Sequence, residues 1–153
     1  MKKLLKGMNG FYIGTLLASF VLIIVCVILQ IVSRYIFNHP LTWTEEISLF
    51  AFCWFTFMGS AVASWEDNHL EVDFFYNRMG EGLKKITDIC IKFLFTLMAV
   101  FMVGDAITAM ETQVGITSVA LRIPIPLYTL AIAMGFVGMA VFTAWHLVRL
   151  FKK

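Results

Sequence analysis

The stretch that decides the fold is GMNGFYIGTLLASFVLIIVCVILQIVS, residues 7–33, which contains no charged side chain. A helix that crosses a hydrocarbon core of about 30 Å needs roughly 20 apolar residues, so this run is long enough to span a membrane. Two further uncharged runs are similarly long: 47–65 and 123–148. A fourth apolar segment, 86–110, includes three charged residues: Asp88, Lys92 and Asp105. The sequence therefore predicts four transmembrane helices.

The composition of the whole chain agrees with a membrane protein. Its 153 residues are 60% hydrophobic and 14% charged, against about 45–50% and about 25% in soluble domains, which excludes a water-soluble domain. The net charge of +2 gives no reason to expect a nucleic-acid partner. We expect one all-α integral membrane domain, residues 1–153. Its predicted spans are 11–33, 44–65, 86–110 and 125–148.

Cysteines and basic residues add two expectations. Each cysteine lies in an apolar segment, where a thiol packs as a small hydrophobe, so no disulfide or metal site is predicted. Nine of the twelve basic residues cluster at the two termini and in the middle loop, which places all three in the cytoplasm.

The first run is too long for a signal-peptide core and should stay as an uncleaved anchor. The loop 66–85 mixes aromatic and basic residues and should lie at the inner headgroup layer. Within the third span, Lys92 and Asp105 should snorkel toward opposite interfaces.

Two adjacent carboxylates stand at the start of the second span. The sequence Thr42-Trp43-Thr44-Glu45 has the spacing of a capping box, in which the Thr and Glu side chains accept hydrogen bonds from free backbone N–H groups. On one interpretation, Glu45 and Glu46 only stabilise the positive end of the helix dipole. On the other, one of them binds a cation, a proton or an arginine of another chain. Adjacent residues point about 100° apart on a helix, so a paired general acid and base is not expected.

Small residues at helical spacing predict where helices approach closely, because they let two backbones meet in lipid. The candidate packing positions are Gly10, Gly14 and Ala18 in the first helix, Gly59 and Ala63 in the second, and Gly135 and Gly138 in the fourth.

The chain lacks the motifs of known catalytic and phosphate-binding sites, so we expect no catalytic residue, no cofactor and no enzyme activity. A solute pathway usually needs polar groups near the membrane midplane, and the first, second and fourth spans have no charge there. His69, Glu71 and Asp73 alternate in the inner loop, either as metal ligands or as a solvated face. The histidines also raise a haem hypothesis, but His39, His69 and His146 lie in three different parts of the chain.

Several aromatic and polar residues occur in a recognisable order between residues 30 and 73. The series begins with Gln30 and continues with Arg34-Tyr35, Trp43-x-Glu45-Glu46, Trp54, Gly59 and His69-x-x-x-Asp73. This series resembles the small membrane subunit of the tripartite ATP-independent periplasmic (TRAP) transporters, the DctQ-like family. Outside this stretch the resemblance rests on length, on four spans and on Pro124 and Pro126 before the fourth helix.

The resemblance implies a complex in the bacterial inner membrane. A periplasmic substrate-binding protein would deliver an organic acid, of the C4-dicarboxylate or sialic acid class, to a large elevator-type subunit driven by a sodium gradient. This chain would be the non-catalytic partner in a heterodimer, surrounded by membrane lipids, and would brace the scaffold of the large subunit, which would hold the sodium sites.

The resemblance also implies roles for single residues. Seven should contact the large subunit or fix the loops that do: Arg34, Tyr35, Trp43, Glu45 and Glu46 at the outer face, and His69 and Asp73 at the inner face. A hypothesis from another class remains open, namely a membrane-anchor subunit of a redox enzyme that binds haem or quinone.

Overall fold

The computed structural model describes residues 2–39, 41–66 and 81–151, which include four long helices. The helices are α1 (Lys2–Ile36), α2 (Thr42–Trp65), α3 (Glu81–Thr112) and α4 (Pro126–Phe151). Each is long and apolar enough to cross a membrane. The prediction of an all-α membrane protein with four apolar helices is confirmed, so the chain is a multi-pass membrane protein.

The helices pack side by side in the order α1, α2, α4, α3. Of the four spans, that of α4 is the most buried, and those of α1 and α3 are the least buried. Residues 37–39 and 41 and residues 113–125 lie at the same end of the bundle, where Glu46 at the start of α2 bonds to Ser118, Ala120 and Leu121. We call this the hairpin end. The other end, where α1 begins and α4 ends, is called the terminal end.

The middle loop was predicted at 66–85, but the helical part of the chain reaches further into it. Helix α3 already begins at Glu81, because a helix continues beyond the apolar part that hydropathy detects. The two loop residues assigned a contact, His69 and Asp73, lie outside the described residues, as does most of the loop.

The core is formed where α1, α2 and α4 meet toward the terminal end. Tyr12, Met58 and Phe142 are buried there together with Leu5 and Ala61. The Tyr12 hydroxyl donates a 2.7 Å hydrogen bond to the Met134 carbonyl oxygen, and its ring meets that of Phe142 edge to face at 5.8 Å. Tyr12 therefore ties the outer helix α1 to the central helix α4.

Glycines in α4 mark the closest helix contacts. A Cβ atom built on Gly135 would lie 2.6 Å from the Cβ of Phe57, and one on Gly138 would lie 2.7 Å from the Cβ of Ala61. These distances are well below ordinary carbon–carbon contact. Helices α2 and α4 can approach this closely only because both positions lack a side chain.

The other candidate packing positions are less crowded within the chain. A Cβ on Gly59 would meet only the end of the Leu16 side chain, at 3.3 Å, and one on Gly10 or Gly14 would have no heavy atom within 4 Å. Two further positions are exposed: Ala18 and Ala63. Close helix packing at Gly10, Gly14 and Ala18 of α1 therefore remains a prediction.

Candidate functional site

Glu46 fastens the α3–α4 connection to the start of α2. Its Oε1 atom accepts a 2.6 Å hydrogen bond from the backbone N–H of Ala120. Its Oε2 atom accepts 2.8 Å bonds from the N–H of Leu121 and from the Ser118 hydroxyl. Hydrogen bonds to an ionised acceptor are stronger than those between neutral groups. One carboxylate therefore holds residues 118–121 in place.

The connection that Glu46 holds is a short hairpin. The N–H of Ser118 donates to the carbonyl of Ile123, and the N–H of Ile125 donates to that of Ile116, at 2.9 and 3.0 Å. The turn needs left-handed backbone at Arg122, where φ is 53°, an uncommon conformation for a residue other than glycine. Val119 is 96% exposed at its tip. The hairpin therefore presents an apolar tip at this end of the bundle.

Glu45 points away from Glu46 and toward α1. Its Oε1 atom accepts a 2.7 Å hydrogen bond from the Nε2 of Gln30. Together with Arg34 and Asn38, these two residues line a polar cleft of about 330 Å³ at the hairpin end. The cleft brings one cationic and one anionic side chain to the seam between α1 and α2.

The predicted capping box is wrong. Helix α2 begins at Thr42, as expected, but the residue at its N-cap is Leu41, with no side-chain cap hydrogen bond. Thr44 donates its hydroxyl to the Leu41 carbonyl oxygen at 2.7 Å. Glu45 is engaged with Gln30 instead of the helix N-terminus. The two carboxylates therefore connect α2 to its neighbours, each to a different one.

The remaining predicted contact residues of this end lie on the surface. Tyr35 is 77% exposed and Trp43 is 37% exposed, and Arg34 is also exposed. The structure thus divides the predicted set into side chains that organise the end of the bundle and side chains that point outward. Contact of any of them with another protein remains a prediction.

Sequence reasoning missed Ser118 and Tyr128. The Ser118 hydroxyl both donates to Glu46 and accepts from the N–H of Ile123 at 2.9 Å, and the Tyr128 hydroxyl donates to the backbone carbonyl of Glu46 at 3.4 Å. No local pattern announces these contacts, because the partners are 72 to 82 residues apart in the chain.

The geometry offers little to a redox cofactor. His39 lies at the hairpin end, whereas His146 lies near the terminal end of α4 with its Nε2 atom 3.0 Å from the Trp65 carbonyl oxygen. Twenty residues of α4 separate Pro126 from His146, which is about 30 Å of helix, so these two imidazoles cannot share one haem. Among residues 2–39, 41–66 and 81–151, no three metal-ligating side chains converge.

Several known proteins are similar in sequence to this chain. The family described as tripartite ATP-independent periplasmic transporters, DctQ component, matches residues 23–153. The sialic acid TRAP transporter permease protein SiaT of Haemophilus influenzae is 30% identical over 132 residues, which is 81% of this chain and 21% of that protein. The isethionate TRAP transporter permease protein DctMQ of Oleidesulfovibrio alaskensis is 27% identical over 133 residues, 80% of this chain and 21% of that protein.

A shorter relative is the sialic acid TRAP transporter small permease protein SiaQ of Vibrio cholerae, 27% identical over 77 residues, 49% of this chain and 44% of that protein. The matches thus cover about a fifth of the length of SiaT and of DctMQ, and under half of the length of SiaQ. They favour the transporter hypothesis and give no support to a redox anchor. Because the family match extends over residues 23–153, we conclude that the chain belongs to the DctQ family of TRAP transporter components.

Proposed function

We propose that this chain is the non-catalytic small subunit of a TRAP transporter and forms a heterodimer with the large membrane subunit. The observation that carries the proposal is the contrast between the centre and the flanks of the bundle. Helix α4 is the most buried of the four, whereas α1 and α3 expose apolar side chains along their length, for example Leu17, Ile28, Leu97 and Phe101. The bundle therefore offers extended surfaces for neighbours in the membrane.

The long relatives support a partner in the same membrane. SiaT and DctMQ each match this chain over only 21% of their length. In those proteins, a region similar to this chain is covalently joined to a much longer permease. A separate chain of this family would reach the same arrangement by binding non-covalently to the large subunit.

The proposed role in transport is to stiffen the fixed scaffold past which the large subunit moves its substrate. Rigidity within the small subunit comes from the α2–α4 contact at Gly135 and Gly138 and from the Glu46 hydrogen bonds at the hairpin end. Both features stabilise shape, and neither opens a path for a solute. The sodium sites and the elevator motion belong to the large subunit in this proposal.

The proposed cargo is an organic acid, brought by a periplasmic binding protein. Relatives named for sialic acid and for isethionate support an anionic substrate, and we propose the C4-dicarboxylate or sialic acid class. The distribution of basic residues supports an orientation with the hairpin end in the periplasm and both termini in the cytoplasm of a bacterial inner membrane. The exposed Arg34, Tyr35 and Trp43 would then meet the large subunit near its periplasmic face.

The experiment is to co-purify an affinity-tagged small subunit with its large subunit and to measure substrate uptake by the same cells. Replacing Glu45 and Glu46 together with alanine should reduce both, because it removes the hydrogen bonds that join the start of α2 to Gln30 of α1 and to the 118–121 hairpin. Glu111→Ala is the matched control, since this carboxylate is exposed at the same end of the bundle. Normal assembly and uptake in the double variant would dismiss the role assigned to the two carboxylates. A wild-type small subunit that never captures the large one would dismiss the proposed function.

A further inference from the structure

Asp105 places a carboxylate inside the membrane-spanning part of α3, about 10 Å from its end at Thr112. Its depth follows from the register of α3 and α4, which the 2.6 Å hydrogen bond from the Thr129 hydroxyl to the Gln113 side chain fixes. Asp105 precedes Gln113 by eight residues and Val137 follows Thr129 by eight. At about 1.5 Å per residue both lie roughly 12 Å from that bond. Val137 is at the centre of the span Pro126–Arg149.

The carboxylate of Asp105 points away from the bundle. Ala99 and Ala106 are the buried residues of this part of α3, and Asp105 projects about 100–120° from both on the helix. Residues on its own side of α3 are apolar and exposed, among them Met98 and Phe101, the latter at 71%. In the described part of the chain, Asp105 makes no hydrogen bond or ion pair.

The sequence suggested that Asp105 snorkels, but its carboxylate cannot reach the membrane interface from this position. Asp105 lies about 10 Å along the helix from the end of the α3 span at Thr112, farther than an aspartate side chain reaches. This distance argues against snorkelling of Asp105. Lys92 cannot neutralise it either, because thirteen residues of helix separate the two by about 20 Å. A charged side chain facing lipid at this depth is costly, and such residues usually face a protein neighbour with a matching group.

We infer that Asp105 pairs inside the membrane with an arginine or lysine side chain of the large subunit. The outward face of α3 defined by Leu94, Met98, Phe101 and Asp105 is then a docking face for the large subunit, on the opposite flank of the bundle from the contact residues predicted at the end of α1 and the start of α2. This inference rests on the proposed function and names the surface that carries it. Apolar packing surrounds one ion pair, which fixes the depth and rotation of α3 against its partner.

Charge complementarity favours the large subunit as the partner of Asp105. A lipid carries its cationic group at the headgroup layer, beyond the end of the α3 span and so at least about 10 Å from Asp105. Among the described residues of a second copy, the basic side chain inside the α3 span is Lys92, which lies about 20 Å along the helix from Asp105. A second copy in the same orientation therefore has no cation to offer at the depth of Asp105. A bound metal cation would need several ligands, and in the described part of the chain no three metal-ligating side chains converge, at Asp105 or elsewhere.

The first test replaces Asp105 and measures two quantities with opposite expected signs. In Asp105→Leu, the amount of large subunit recovered with the tagged small subunit should fall roughly tenfold, because the partner's cation is left unpaired. The isolated variant should unfold no more easily than wild type, since leucine suits lipid better than a carboxylate. Asp105→Lys should abolish recovery, whereas the control Glu111→Leu should retain it. Wild-type recovery with Asp105→Leu would overturn the inference while leaving the proposed function intact.

The second test maps the face directly. A photo-crosslinking amino acid at Phe101 should capture the large subunit in membranes, and the same probe at Ile107, exposed on another side of α3, should not. Capture of a second copy of this chain at Phe101, or equal capture at both positions, would overturn the inference. Failure of wild-type protein to co-purify with the large subunit would instead refute the proposed function.

Discussion

The α2–α4 contact makes a quantitative prediction for the substitution Gly135→Ala. The added Cβ would lie 2.6 Å from the Cβ of Phe57, 2.8 Å from its carbonyl oxygen and 3.0 Å from its carbonyl carbon. Carbon atoms pack at about 3.5–4.0 Å. Because these atoms belong to the backbone or adjoin it, a change of rotamer cannot remove them. The two helices must therefore separate locally by about 1 Å.

The cost follows from that displacement. A gap of 0.5–1 Å forfeits about a quarter to a half of the dispersion energy of the atoms that line it, and overpacking a tight core typically costs about 1–3 kcal/mol. The backbone position of the clash favours the upper part of this range, about 2–3 kcal/mol. Alanine also gains about 1 kcal/mol over glycine in helix propensity. The net loss in free energy of unfolding should be about 1–2 kcal/mol.

Gly14→Ala is the matched control, because a Cβ at that position has no heavy atom within 4 Å. It gains the same helix propensity without a clash, so the difference between the two variants isolates the packing cost of about 2–3 kcal/mol. The assay is unfolding of purified protein in mixed micelles, followed by the fluorescence of the packed Trp54, Trp65 and Trp145. Equal stability of the two variants would refute the close α2–α4 approach.

Two further predictions concern the polar contacts. Tyr12→Phe should lower the free energy of unfolding by only about 0.6 kcal/mol, the average for a hydrogen bond inside a membrane protein; a loss above about 2 kcal/mol would mean that the hydroxyl does more than donate to Met134. Glu46→Gln should speed hydrogen exchange at the amides of Ala120 and Leu121, because a neutral amide oxygen replaces the charged acceptor. Unchanged exchange there, with Glu111→Gln as the control, would show that Glu46 does not hold the hairpin.

The four helices could be predicted from sequence because a bilayer imposes one simple rule on them. Every backbone polar group in lipid must be satisfied within the segment, and the segment must be long enough to cross. Helix ends are less constrained, since water satisfies them equally well in several positions. This explains why α3 begins at Glu81, inside the stretch predicted as a loop.

The candidate site was predictable only in part. The sequence singled out Glu46, but two of the three donors to its carboxylate are backbone N–H groups of the 118–121 hairpin, and a backbone donor cannot be recognised from the residue types. The spacing of glycines likewise could not predict which helix contacts are close. Gly135 and Gly10 look alike in the sequence, and only the packing of α2 against α4 distinguishes a position that cannot hold a side chain from one that can.

The capping box failed for a related reason. Thr42 is the first residue of α2, one position too late to act as its cap, and Glu45 finds a stronger partner in Gln30 across the helix pair. A local motif was therefore overridden by a contact between two helices.

The central claim is that these four helices give shape and support to a larger transport subunit and conduct no solute themselves. Reconstitution into vesicles with an imposed sodium gradient tests it most directly. Labelled organic acid, presented with its periplasmic binding protein, should enter vesicles that contain both membrane subunits and should stay outside vesicles that contain this chain alone. Sodium-dependent uptake by this chain alone would contradict the claim.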